Sequence, residues 1–288
     1  MQNDQRTEPL GTGAVQARSL ALGAAVWLEA IGIAAPGLSN WQAARGILRG
    51  EAAYAPTELP PHAPQLLPPN ERRRATPTVR IAFQAAEDAM STASIMPATL
   101  ATVFASSDAD LNIIHRISSA LAQTPRLVSP TDFHNSVHNA AAGYWSIAVG
   151  ARAPSSTISA YDFSFAAGLD EACNLVRIDG LDTLLVAFDV PPPQPLYDKR
   201  PIACSAAVAL VLTRSRTTAS LAKLRCAQVT QASDHAATPA LEELRCSNPA
   251  MAALPLLELL AQGRSGRVVL PRTSAAGLAV ELDLLDAR

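Results

Sequence analysis

The sequence predicts an α/β fold, a layered sheet with helices on both faces, and three observations predict it. Apolar runs with little polar alternation recur at Val26–Ile33, Leu100–Ala105 and Thr183–Phe188; runs of this kind mark strands buried on both faces. Between them lie longer stretches with apolar residues at helical spacing, such as Val79, Phe83, Ala86 and Met90, so strand and helix alternate along the chain. Hydrophobic residues make up 49% of the 288, enough to fill a core.

In chain order, residues 1–22 are polar, then rich in small residues, and are expected to be an extension with little structure of its own. Val26–Ile33 is the first strand, interrupted by Glu29. Ser39 is placed to cap a short helix through Leu48, with Trp41, Ala44 and Leu48 on one face. Six prolines between Pro56 and Pro69 remove backbone donors and force an irregular excursion. Thr76-Pro77 opens a helix to Met90. The strand Leu100–Ala105 runs into Ser106-Ser107-Asp108, and a helix follows over Ala109–Leu121.

Residues 129–172 carry the most information. Pro130 suits a first helical turn, and a single helix is expected from there to Val149, with Gly150 as its stop. Ser156–Ser159 reads as a short buried strand and Phe163–Leu175 as a helix, so Ala160-Tyr161-Asp162 must turn the chain sharply. α/β enzymes mount nucleophiles on such strand-to-helix turns, where a helix N-terminus favours an anion. A carboxylate there is otherwise satisfied by backbone amides. Beyond the buried strand Thr183–Phe188, Ala206–Thr213 and Leu221–Gln228 are expected to form a hairpin. Helical runs follow at Leu241–Leu244 and Pro249–Leu260, and strands at Gly266–Leu270 and Leu278–Leu284 close the chain. The whole reads as one domain over 23–288.

Several function classes are disfavoured. With 23 basic and 25 acidic residues the net charge is −2, no footprint for nucleic acid; the run Arg72-Arg73-Arg74 is a solvated face or a contact for an acidic partner. The four cysteines form no C-x-x-C pair, against a zinc site or a disulfide framework and in keeping with a cytoplasmic protein. Cys173 lies about three helical turns beyond Asp162, too far to replace it. No run reaches the roughly 18 apolar residues of a membrane span. His134 and His138 share the spacing of two ligands on one helix face, but no third ligand accompanies them, so a packed pair is expected and no metal or cofactor. Ser159 and Ser164 lack a G-x-S-x-G setting.

The landmarks Ser129-Pro130, Asn139, Ala142-Gly143, Gly150, Pro154 and Thr157-Ile158-Ser159-Ala160 give this stretch its resemblance to the ketosynthase branch of the thiolase-like superfamily. The resemblance runs over about 26–213 and implies a thiolase-like layered α/β/α fold, with the ketosynthase half retained over 23–190 and a shortened second half over 203–288. In ketosynthases the residue at position 162 is the acyl-accepting cysteine; here it is Asp162, between Tyr161 and Phe163, which would line a vestigial pocket. Ketosynthases also use two histidines in their second half, whereas His235 is the one histidine after Asp162. The resemblance therefore implies no catalytic residue and a subunit similar to the chain-length factors of type II polyketide systems. The phrases Leu67–Arg74 and Phe104–Ser107 resemble the short type of bacterial aryl polyene pathways. Its implied partners are an active ketosynthase and an acyl carrier protein. Asp132, Phe133, Asn135, Ser136, His138 and Asn139 would stand at the partner's tunnel and interface. The alternative is a stand-alone acyltransferase or hydrolase using a serine or Asp162.

Overall fold

The structure is a computed structural model and describes residues 24–230 and 233–285; the extension expected over 1–22 lies outside the described residues. In chain order the elements are β1 (Val26–Ala34), α1 (Trp41–Leu48), α2 (Pro69–Arg74), α3 (Pro77–Met90), β2 (Ala101–Ala105), α4 (Leu111–Leu121), α5 (Pro130–Asn135), α6 (Ala140–Val149), β3 (Ser155–Ile158), α7 (Ser164–Asn174), β4 (Thr183–Asp189), β5 (Ala206–Thr213), β6 (Ala222–Val229), α8 (Pro239–Ser247), α9 (Leu254–Ala261), β7 (Gly266–Pro271) and β8 (Gly277–Leu284). The strands form one eight-stranded sheet in the order β3-β2-β4-β5-β1-β6-β8-β7. The first three are parallel neighbours, and the remaining pairs are antiparallel.

The unbroken apolar strands are central because both faces are covered. In β5, Ala206, Val208, Leu210 and Leu212 face the core under α7, α8 and α9, while Ala207, Ala209 and Val211 face the core under α3 and α6. In β1 the register shifts between Leu28 and Ala30. This lets buried Glu29 leave the ladder, accept from Ser94 N at 2.7 Å and Oγ at 2.8 Å, and accept from the Thr217 hydroxyl at 2.7 Å. α3 packs so close to β1 that a Cβ on Gly32 would lie 2.0 Å from the Ala85 carbonyl oxygen and 2.6 Å from Ala89 N.

Several sequence expectations change. β5 and β6 are not a hairpin: β1 lies between them, pairing Trp27–Ala34 with β5 and Val26–Leu28 with β6. β5 pairs with β1 along most of its length and β6 takes the other edge of Val26–Leu28, so the insertion of β1 satisfies backbone groups on both strands that a hairpin would have paired with each other. β3 is a half-buried edge strand paired with β2 alone among the described residues, its serines and threonine tolerating partial contact with solvent. The single helix expected from Pro130 is two, α5 and α6, because Asn135-Ser136-Val137-His138-Asn139 is a run of poor helix formers. There Ser136 Oγ donates to the Phe133 carbonyl at 2.8 Å. The break also separates His134 from His138, which do not share a helix face; the His134 ring instead meets Tyr144 edge-on at 6.1 Å. Finally, Asn40 rather than Ser39 caps α1, accepting from Ala43 N–H at 2.9 Å.

The α3–β1 contact yields the first prediction. Gly32→Ala should destabilise the fold by about 2–3 kcal/mol, since backbone rather than a flexible side chain occupies the space. A urea midpoint equal to the parent's would show that α3 can retreat.

Candidate functional site

The parallel strands β2, β3 and β4 end on one edge of the sheet, where their C-terminal loops converge. β2 runs into Ser106-Ser107-Asp108, β3 into the elbow at Ala160-Tyr161-Asp162, and β4 ends at Asp189. The crevice at the strand C-termini is where α/β folds place ligands. Two non-glycine residues in this region adopt left-handed backbone, Ala109 (φ 56°) and Tyr161 (φ 54°), the kind of local strain that a rigid surround holds in place. Ser164 ties the elbow down: its Oγ donates to the Tyr161 carbonyl at 2.7 Å and accepts from Ala160 N–H at 3.0 Å.

Asp162 sits at this elbow as the sequence predicts, but its partner differs from the expectation. Its carboxylate is held not by the amides of α7 but by Arg200, whose Nη1 donates to Oδ1 at 2.6 Å. Arg200 is 8% exposed, bonds Asp108 Oδ2 through Nε, and lies 3.7 Å over the centre of the Tyr161 ring. A guanidinium supplies a flat face for an aromatic ring and several edge donors for carboxylates at once. Sequence reasoning missed Arg200, which belongs to the short proline-flanked segment after β4. A buried arginine among acids 38 and 92 residues away carries no periodic signal.

Behind this ion cluster, Asp189 Oδ1 accepts from Ser106 Oγ at 2.8 Å, Ser107 N–H at 2.9 Å and Ser107 Oγ at 2.8 Å. Burial pushes the Asp189 carboxyl up to about 7, against these hydrogen bonds, which pull it down. Asn248 bridges the Asp189 and Cys204 carbonyls with Nδ2 at 3.0 and 2.8 Å.

The elbow opens onto a cleft of about 510 Å³ whose walls include Tyr161, Asp162, Phe163, Arg200, Cys246 and Asn248. Among the described residues no histidine lines it. His235 bonds Glu242 through Nδ1 at 2.8 Å. Cys246, at the rim, has its thiol pushed up by partial burial, so it is not primed as a thiolate. Cys173 and Cys226 are buried with their sulfurs 3.6 Å apart. No cluster of three or more metal-ligating acids, histidines or cysteines occurs among the described residues, and no helix there is long and apolar enough to cross a membrane.

The predicted partner-facing residues form a second region, on α5 and the α5–α6 link. Phe133 is 71% exposed. Asp132 is held by Arg116 of α4, with Nη2–Oδ1 at 2.8 Å and Nε–Oδ2 at 3.2 Å. Ser136 and His138 are half-buried and Asn139 is exposed. Asn135 turns inward: it is 2% exposed and donates through Nδ2 to the Arg74 carbonyl at 3.3 Å. Exposed Leu127 and Val137 lie nearby in the chain.

Residues 41–272 match the family described as beta-ketoacyl synthase, N-terminal domain. No curated protein matches in sequence. Among solved structures, the chain is similar to one in the complex of a ketosynthase with its chain length factor from Xenorhabdus doucetiae. There the TM-score is 0.68 and the identity 23%, over 90% of this chain and 100% of that one. It is also similar to a chain in the ishigamide ketosynthase/chain length factor, with a TM-score of 0.69 and 13% identity over 91% of this chain and 100% of that one. A third match is to a type II polyketide ketosynthase with its acyl-carrier protein, with a TM-score of 0.67 and 12% identity over 91% of this chain and 99% of that one. At these identities the likeness establishes the fold.

Two predictions follow from the geometry. Because its folded pKa is raised, Asp189 contributes stability that is complete below about pH 4, where the unfolded carboxyl is also protonated, and that is lost as pH rises through 7. Asp189→Asn keeps the accepting oxygen and removes the titration. Its stability relative to the parent should therefore rise between about pH 5 and about pH 7.5, by up to about 1.4 kcal/mol per pH unit; parallel urea-unfolding profiles would contradict this. Arg200→Met leaves Asp108 and Asp162 without their cation and should cost about 2–3 kcal/mol by the same assay.

Proposed function

Since the chain belongs to the beta-ketoacyl synthase family, we propose that it is a non-catalytic member, a subunit of chain-length-factor type that pairs with an active ketosynthase and shapes the far end of its acyl tunnel. The observation that carries this reading is the Asp162–Arg200 pair. Joining two thioester-linked acyl groups needs a soft nucleophile that can also leave, which a thiolate is and a carboxylate is not. An acyl-aspartate would be a mixed anhydride, and the Asp162 carboxylate is paired with a guanidinium through Oδ1. The reaction further needs donors aimed at the thioester oxygen where enolate charge develops. Arg200 is the cation at the elbow, and its Nε and Nη1 donate to Asp108 and Asp162.

Pairing gives a protein without the reaction something to do. Phe133 and Leu127, 71% and 75% exposed, are apolar groups of the kind that anchor interfaces, and β3 ends the sheet with β2 as its one strand neighbour among the described residues. In the proposed assembly Phe133 and Ser136 stand at the end of the partner's tunnel, with Asp132, His138 and Asn139 at the interface around them and Asn135 fastening the segment from behind. Arg116 holds Asp132 in place, so the bulk at position 133 is presented at a set depth. Support comes from the named relatives, two of which are complexes of a ketosynthase with a chain length factor and one of which includes an acyl-carrier protein.

Two measurements test the proposal together. Co-expressed with its ketosynthase, the chain should co-purify as a stoichiometric complex, and changing Phe133 to Ala or Ser136 to Trp should lengthen or shorten the product. By contrast, the isolated chain mixed with acyl-carrier thioesters should show no acyl adduct by intact mass. An adduct on the parent chain, or product length indifferent to both substitutions, would overturn the reading.

A further inference from the structure

The α5–α6 link closes over a small cavity of about 10 Å³, walled by Thr78 of α3, Asp110 at the start of α4, Asn135 and His138, with Phe188 of β4 on one side. Four buried polar atoms of these walls have no hydrogen-bond partner among the described residues: Thr78 Oγ1, Asp110 Oδ2, Asn135 Oδ1 and His138 Nε2. Three of the residues are more than nine-tenths buried, with Thr78 4%, Asp110 7% and Asn135 2% exposed. Their remaining polar atoms are committed elsewhere. Asp110 Oδ1 accepts from Ile113 N–H at 3.1 Å as the cap of α4, and Asn135 Nδ2 donates to the Arg74 carbonyl at 3.3 Å.

Leaving four such atoms bare is costly, because each forfeits its hydrogen bonds to water on folding. The inventory of the four defines what satisfies them. Asp110 Oδ2 and Asn135 Oδ1 only accept, while the Thr78 hydroxyl and one imidazole nitrogen can donate. A guest must therefore offer two donors and two acceptors, and it must be small, since one water needs roughly 10–15 Å³ of this kind of space. We propose that the cavity is a binding site for a single water molecule, which donates to Asp110 and Asn135 and accepts from Thr78 and from His138 in its Nε2–H form. The site joins α3, α4 and the link through one shared molecule. On the reading that the link faces a partner's tunnel, this tie fixes the depth at which Phe133 and Ser136 are presented. The competing guest is a bare monovalent cation, for which the same three oxygens would serve as ligands.

The test uses the full chain without any partner, so it stands or falls independently of the pairing proposal. In a crystal structure fine enough to show ordered solvent, one peak is expected within hydrogen-bond distance of all four atoms, unchanged in a rubidium soak. An anomalous rubidium signal in the cavity, the absence of a peak, or direct pairing among the four side chains would each overturn the site. In solution, Thr78→Val and Asn135→Leu should be coupled through the shared molecule. The second substitution should then shift the urea midpoint markedly less in the first variant than in the parent, and strictly additive shifts would overturn the site.

Discussion

The guanidinium of Arg200 is the constraint on which the site depends. It binds three segments remote in sequence: the loop after β2 through Asp108, the elbow after β3 through Asp162 and the ring of Tyr161, and its own turn after β4. Two left-handed residues, Ala109 and Tyr161, sit in or beside those segments. Conformations of that kind cost on the order of 1 kcal/mol or more each and persist where the surround over-determines them. A nearly buried cation with two carboxylates and an aromatic face provides such a surround. Two acids gathered around one strong base also account for the depth at which a charged side chain can be kept among strand ends.

The sheet delivers those segments to one another. Three parallel strands end together, so their loops meet on one edge whatever the loops contain, and helices α3 and α7 brace the strands from opposite faces. The small residues of β1 and β5 bring α3 onto the sheet at backbone distance, which leaves little room for strand ends to shift. Asp189, at the last position of β4, converts that rigidity into polar order: its single accepting oxygen gathers both serines of the β2 loop. The price of this is a buried acid held at a raised pKa.

Function divides between two ends of the same segment. At the elbow, the Asp162 carboxylate is held by an ion pair with Arg200 beside the cleft. Upstream, α5 exposes an aromatic side chain and an apolar neighbour while keeping Asn135 turned inward. The proposed role, completing another subunit's pocket, draws on both ends, and the break between α5 and α6 separates the segment that bears Phe133 from the core helix.

How much of this was legible varies by residue for physical reasons. Burial on both faces writes an unbroken apolar run into β4 and β5. The strand-to-helix swing at 160–162 is forced by the lack of room for a loop, so the elbow and the aspartate on it were readable from the chain alone. Strand order was not: the signals for β5 and β6 are the same whether they pair with each other or with β1 between them, since an apolar run reports burial and says nothing of which neighbour supplies the hydrogen bonds. The split of the 130–149 helix was half visible in its poor helix formers, but an alanine-rich sequel hid it. Composition and pattern therefore determined the fold class, the position of the elbow and the aspartate it carries. The identity of what holds Asp162, the inward turn of Asn135 and the insertion of β1 were decided only in three dimensions, because each depends on a contact between residues whose separation along the chain leaves no local trace.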